Sequence, residues 1–498
     1  MGIGENYKLG ILTPRNYQVF FLVVLCTAVI HPTVMGFDSQ MISSILNLPL
    51  YKSYFELTPV TTGLNTASTW MGQILWSLCI GGALSERFGR KPSIFVGACL
   101  TIVGVCLQTA AQHIAMFVIG RIIIGAGVVC CLISASAMVS ELAMVESRGL
   151  LTGLCFSCYG FGSLIASVVT YGTRDVSGTW SWRIPSLVQG IFSLVGAFCL
   201  LFITESPHFL IKGGNEEAAI EVLRLSRRLS TDEAMEAASL IKYSIKNGRE
   251  EKSKGLHPFV RFCKGRGNLR RVAIYLSQSL ITEMGGSSVG SYFFSILLEE
   301  AGIKNVTKKL QATIVMSLWS LVLSCVGAYS FGSLPRKVQS LVSLCGMIVS
   351  FYILGGLIKE YGSGQSLSGL YGCIAMMFIF TGFYGFTYTP LTMTLPSEIS
   401  PSCERSAGIT LFETFDSSFG LLSSFVLPIA MSNIGWKFYI INASYDIIFL
   451  PIIYFVWVET KGLDLAQIDA IFDGDSSELL SESNSDLVYV EEQVIGKV

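Results

Sequence analysis

The sequence predicts an all-α integral membrane protein: twelve transmembrane helices in two six-helix bundles, joined by a helical cytoplasmic loop. Three observations carry this expectation. Only 14% of the 498 residues are charged, 51% are apolar, and mean hydropathy is +0.58, whereas soluble chains carry about 25% charge. Twelve segments are apolar over roughly the 20 residues that a bilayer crossing needs. Charged loop signatures also recur at corresponding places in the two halves, the sequence sign of a transporter built from related bundles.

The apolar segments lie near 18–46, 61–84, 92–111, 115–139, 150–171, 185–203, 272–298, 311–331, 338–358, 367–394, 407–431 and 436–457. The first is too long for a signal peptide and lacks a small-residue cleavage site. Between the second and third stands Gly82-Ala-Leu-Ser-Glu86-Arg87-Phe-Gly89-Arg90-Lys91-Pro92. Such charges cannot enter hydrocarbon, so they mark a tight turn at the interface. Phe331-Gly-Ser-Leu-Pro335-Arg336-Lys337, between the eighth and ninth, is a degraded copy that keeps the basic pair and lacks the acid. Glu141 with Arg148 follows span 4, and Glu398 with Arg405 follows span 10.

The chain therefore divides into an N-terminal stretch 1–17, a first bundle 18–203, a loop 204–271, a second bundle 272–457 and a tail 458–498. The loop gathers basic residues, among them Arg224, Arg227, Arg228, Lys242, Arg270 and Arg271, so the positive-inside rule makes it cytoplasmic, and both termini with it. Asn215-Glu-Glu-Ala-Ala-Ile-Glu-Val-Leu-Arg has helical spacing, and Thr231-Asp-Glu-Ala opens like a capped helix. The tail after 458 is acidic and serine-rich, which favours disorder. Asn305-Val-Thr307 falls in the external loop between spans 7 and 8, where glycosylation is topologically allowed.

Several function classes drop out. The basic loop joins two membrane halves and lacks interleaved aromatics, so nucleic acid is not expected as a partner. Most of the fourteen cysteines lie within apolar spans. Cys130-Cys131 and Cys155-x-x-Cys158 sit at lipid depth without the further ligands zinc needs, and read as small hydrophobes. No metal, no cofactor and no enzyme motif is expected.

The 82–92 block matches the loop pattern of the major facilitator superfamily, with Glu86 in place of the usual Asp. Gly36-Phe-Asp38, Gly120-Arg121-x-x-x-Gly125-x-Gly127, Ser140-Glu141 with Arg148-Gly149, Trp182-Arg183-Ile-Pro185-x-x-x-Gln189, Glu205-Ser206-Pro207, Pro396-Ser-Glu398 and Glu459-Thr460-Lys461-Gly462 extend the match in order. Over nearly its whole length the chain resembles the sugar porter family of that superfamily, and especially fungal members such as those similar to lactose permeases. The resemblance implies the major facilitator fold and a monomeric plasma-membrane transporter. It further implies proton-coupled uptake of a sugar, polyol or similar small polar solute by alternating access. Two other readings stay open: a transporter or exporter of a non-sugar, cationic metabolite, and a non-transporting nutrient receptor.

The charges at the inner helix ends read as a latch between the halves: Glu86, Arg87, Arg90, Lys91, Glu141, Arg148, Glu205, Arg336, Lys337, Glu398, Arg405 and Glu459. Their alternative is simple anchoring at the headgroups. Asp38 and Arg121 fall at matching depth in the outer half of the membrane, where an acid and a base pair. In the resembled proton-coupled members this acid takes the proton and this Arg tunes it; in uniporters the pair is static.

The expected central cavity departs from the family pattern. The usual amide pair of span 7 falls on Thr282 and Glu283 and a further amide on Ser288; the span 5 amide falls on Phe156, the span 10 Trp on Met393 and the span 11 amide on Asp416. Ser163, Ser287, Ser320, Tyr384 and Tyr292 complete the candidate binding set. Amides suit sugars because each donates and accepts; here Glu283 and Asp416 stand near the midplane instead. They bind a cationic or polyhydroxylated solute, carry protons, or one of them is a neutral buried donor. Gly285, Gly286 and Gly290 suggest a broken span 7.

Overall fold

A computed structural model describes residues 14, 16–252, 262, 265–287, 294, 298, 305–361, 367–401, 405–463 and 465–473. These residues are overwhelmingly helical, with no strand among them. The first half comprises α1 (Tyr17–Ile45), α2 (Pro49–Tyr54), α3 (Pro59–Cys79), α4 (Ala83–Phe88), α5 (Arg90–Thr109), α6 (Ile114–Leu142), α7 (Val145–Thr173) and α8 (Trp180–Cys199). The connecting region holds α9 (Pro207–Lys212), α10 (Glu216–Arg227) and α11 (Thr231–Lys252). The second half comprises α12 (Arg266–Met284), α13 (Val306–Ser330), α14 (Arg336–Tyr361), α15 (Leu367–Ile399), α16 (Arg405–Ile434), α17 (Lys437–Asp446) and α18 (Phe449–Val456), followed by α19 (Leu465–Asp473).

Among the described residues, ten helical stretches are long and apolar enough to cross a membrane. The other two expected spans coincide with α3 and α12. Helix α3 turns polar side chains inward, with Asn65, Ser68, Gln73 and Ser77 all buried, which lowers its hydropathy without exposing those groups to lipid. Helix α12 begins with Arg266, Arg270 and Arg271, and most of the rest of the expected span lies outside the described residues. It stops at Met284, where Gly285 caps it and Gly286 takes φ +93°, a conformation glycine tolerates. Gly290 lies outside the described residues.

Local chemistry sets several helix starts. Thr58 and Thr61 form a reciprocal capping box ahead of α3, with Pro59 in its first turn. Asn215 caps α10 by accepting from the Ala218 N–H at 3.2 Å. The cap of α11 is Ser230, one residue before the expected Thr231: Ser230 and Glu233 exchange backbone N–H bonds of 2.8 and 3.3 Å. Asn305 of the glycosylation motif caps α13 by accepting from Thr307 N–H at 2.9 Å.

Helices α9, α10 and α11 cover one end of the first half. Leu210, Val222, Leu223 and Ala234 share a core with Phe20, Val24, Ile94 and Met138. The expectation of an unstructured tail needs a correction at 465–473. There α19 buries Ile468 and Phe472, and Asp469 pairs with Arg271 at 3.0 Å; the Ser-rich stretch that suggested disorder lies outside the described residues. Close helix packing rests on small residues. A Cβ at Gly72 of α3 would strike the carbonyl of Ile122 in α6, and one at Gly327 of α13 would strike that of Phe386 in α15.

Candidate functional site: a charged latch, a buried ion pair and a central cavity

At the charged end, two copies of one network appear. In the first half, Arg90 Nη2 lies 3.0 Å from Glu141 Oε1 and Arg90 Nη1 donates to the Ser85 carbonyl at 2.9 Å. Glu205 accepts the backbone N–H groups of Arg90 and Lys91 at 2.8 and 3.1 Å, and the Ser206 hydroxyl donates to Glu141. In the second half, Arg336 Nη2 lies 3.2 Å from Glu398 and Nη1 donates to the Phe331 carbonyl at 2.6 Å. Glu459 accepts from Arg336 and Lys337 at 3.0 and 3.1 Å, and the Thr460 hydroxyl donates to Glu398 at 2.5 Å.

The acid that the second copy lacks is thus not the central partner. Glu86 sits at the edge, 3.9 Å from Lys212, and the carboxylate that meets the arginine comes from the end of span 4 or span 10. Arg405 crosses between halves to reach Glu141 at 3.6 Å. Thr152 with Thr394, at 3.2 Å, also joins the halves there. Arg148 is buried beside a cavity of about 670 Å³ shared with Arg336, Glu398 and Lys461. Arg87 is not drawn into these pairs; it is exposed, 5.5 Å from the Phe88 ring. Burial pushes the Glu205 carboxyl above its ordinary range and holds His208, beside Glu141, down at about 3.

The intramembrane pair forms as the sequence predicts. Arg121 and Asp38 are 1% and 2% exposed and meet through two bonds of 3.1 and 3.2 Å. The geometry is bidentate, the strong form of a carboxylate–guanidinium contact. Arg121 Nε donates to the Asn65 carbonyl and to Ser68 Oγ at 2.9 and 3.1 Å. Thr69 and Gln189 donate to the Asp38 carboxylate at 3.0 and 3.1 Å. Gln189 belonged to a recognised motif, yet its role was invisible until the fold brought it to Asp38.

Between the halves lies a cavity of about 540 Å³. Of the expected binding residues, Phe156, Thr282, Glu283, Ser287, Tyr384 and Asp416 line it. Ser163 does not; it donates to the Gly36 carbonyl at 3.1 Å and joins α7 to α1. Ser320 packs against Gly385 instead. Met393 lines a separate chamber of about 300 Å³, which Phe156 also borders. Ser288 and Tyr292 lie outside the described residues. Sequence reasoning missed Met35, Trp70, Tyr159, Thr389 and Thr392. Helix spacing offered a signal for Tyr159, three residues beyond Phe156, and for Thr389, four before Met393. Met35 and Trp70 also border the chamber holding Asp38 and Arg121, so the ion pair and the cavity adjoin.

A family model described as sugar (and other) transporter matches residues 23–472. The sugar transporter STL1 of Saccharomyces cerevisiae is 26% identical over 93% of this chain and 82% of its own length. A high-affinity glucose transporter of Kluyveromyces lactis is 26% identical over 92% of this chain and 86% of its own. The proton:xylose symporter XylE, solved with 6-bromo-6-deoxy-D-glucose, shares the fold with a TM-score of 0.79 at 21% identity, covering 91% of this chain and 99% of that one. The chain is therefore a multi-pass membrane transporter rather than an enzyme, and it belongs to the sugar (and other) transporter family of the major facilitator superfamily.

Proposed function

We propose that the protein is a secondary active transporter that takes up a sugar-like small polar solute with protons by alternating access, as a monomer in the plasma membrane. The observation that carries this reading is the fully engaged Asp38–Arg121 pair, whose chamber shares Met35 and Trp70 with the central cavity. Arg121 keeps its charge, so protonating Asp38 dissolves the bidentate contact and frees α1 to move against α3 and α6. Helix α1 also borders the cavity through Met35, which gives proton binding a mechanical route to the solute site. Names of relatives that carry sugars, and the proton:xylose symporter with the same fold, support the substrate class and the coupling.

The paired networks at the charged end act as the latch in this reading. Loop 204–271, the N-terminal stretch and the tail lie in the cytoplasm, so Glu141–Arg405 closes the inner side and must part for release. Bundles 18–203 and 272–457 rock about the cavity between them. Uptake in yeast lacking hexose transport, against a panel of sugars, polyols, amines and organic acids at two pH values, tests this function. Saturable uptake that rises with external acidity is expected; uptake of no panel member would overturn it.

A further inference from the structure

One turn of α3 touches the ion pair, the central cavity and the second half of the molecule. Thr69 holds both members of the pair: its hydroxyl donates to Asp38 Oδ2 at 3.0 Å and accepts from Arg121 Nη2 at 2.8 Å. Trp70 borders both the ion-pair chamber and the cavity. Gln73, on the same helix face as Thr69, also lines the chamber. Its Oε1 accepts a hydrogen bond from Ser417 Oγ at 2.9 Å.

Ser417 belongs to α16, in the other half. Among the described residues, every side chain lining the chamber of Asp38 and Arg121 comes from the first half, and Gln73 links that chamber to the second. Asp416, next to Ser417, lines the central cavity. Gly420, one turn further on, faces Trp70 so closely that a Cβ there would stand 2.8 Å from the ring. The charged and titratable neighbours of Asp38 are Arg121 from α6 and the Tyr159 phenol from α7; α3 and α8 present the uncharged Thr69 and Gln189.

The cross-half bond resists slipping. Gln73 is 2% exposed and Ser417 0%, and a buried polar group left without its partner bears the full cost of its lost hydration, so the two move together. Helices α3 and α16 also pack antiparallel, from Gly63 against Phe425 at one end to Gly82 against Ser406 at the other. A displacement of α3 therefore meets α16 along its length.

We propose that the Gln73–Ser417 hydrogen bond carries the protonation state of Asp38 to the second half, which makes Gln73 and Ser417 positioning residues for proton-coupled transport. When Asp38 gains a proton, the contacts that fix Thr69 change, α3 shifts, and Ser417 moves the adjoining Asp416 at the solute site. The inference rests on the coupling reading above and extends it to the other half.

The test follows backbone hydrogen exchange in the purified full chain at a single pH, with Asp38→Asn standing in for the protonated acid, so that no solute is needed. Asp38→Asn should speed exchange in α3 and in stretch 410–424 of α16 by about fivefold or more, the low end of coupling between sites. With Ser417→Ala added, α3 should still respond and α16 should not, whereas Ser417→Thr, which keeps the hydroxyl, should preserve the response. If Ser417→Ala fails to fold, Gln73→Met removes the acceptor at similar size and gives the same readout. A bond that only stabilises the fold would lower the melting temperature without changing this transmission. An α16 response undiminished in Ser417→Ala or Gln73→Met, or α16 silent while α3 responds, would overturn the inference and leave coupling through Asp38 standing. No response in either helix would overturn both.

Discussion

Arg405, at the first residue of α16, places Nη1 3.6 Å from Oε1 of Glu141 at the far end of α6, so a cation of one half rests on an anion of the other. Glu141 is shared with Arg90 of its own half at 3.0 Å. The inter-half contact is thus the longer of the two, and separating the halves would remove it while leaving the Arg90 contact within one half.

Arg405→Ala should therefore loosen closure at the charged end without dismantling the first-half network. Removing one partner of a buried pair costs about 3–5 kcal/mol, and only part of that need appear as a shift between closed and open states. A cysteine introduced by Thr152→Cys, facing Thr394 of the other half, should be alkylated at least tenfold faster in the Arg405→Ala background, a shift of about 1.4 kcal/mol. Unchanged alkylation would show that the pair does not hold the halves together.

Gly72→Leu should cost about 1–3 kcal/mol or more by overpacking, because its Cβ would meet backbone of Ile122 rather than a movable side chain. Thermal unfolding in detergent would fall by several degrees. Substitution of Gly172, which has open space around it, is the control and should leave the midpoint alone.

His208 makes stability depend on pH. Its folded pKa is lowered from 6.5 to about 3 by burial, so between those values the unfolded chain binds more protons than the folded one. The contribution is whole above about 6.5 and is lost progressively as pH falls toward 3. Glu205, raised by burial, acts in the opposite direction near its own range. His208→Asn should flatten the decline in melting temperature between pH 7 and pH 5; an equally steep decline would assign the effect to other groups.

A tag inserted after Lys252 should be cleaved or labelled only from the cytoplasmic side. External labelling would invert the orientation on which the latch depends.

How much of this was legible in the sequence follows from what kind of signal each part leaves. Apolar runs and charged loops announce spans and their ends, so the helix order emerged from composition alone. Asp38 and Arg121 were legible because an acid and a base at equal membrane depth are costly unless paired, and the structure pairs them. Cavity residues were legible only where they stood on an expected position, as with Glu283 and Asp416. Ser163 and Ser320 illustrate the failure: a serine on a span can face a cavity or a neighbouring helix, and both here face a helix. Trp70 was missed for the converse reason, since an aromatic in an apolar span carries no mark of what it touches. That Glu459 repeats Glu205 was not read from the sequence; a carboxylate gathering the N–H groups that open α5 in one half and α14 in the other became visible only in the fold.

The most direct test of the account is solute accumulation by the purified protein in liposomes under an imposed pH gradient. The unaltered protein should concentrate its solute above equilibrium while the gradient lasts. Asp38→Asn should abolish that accumulation yet retain solute exchange, because exchange needs no net proton cycle. Accumulation that persists in Asp38→Asn would contradict the claim that this carboxylate couples protons to transport, and no accumulation by the unaltered protein would contradict coupling altogether.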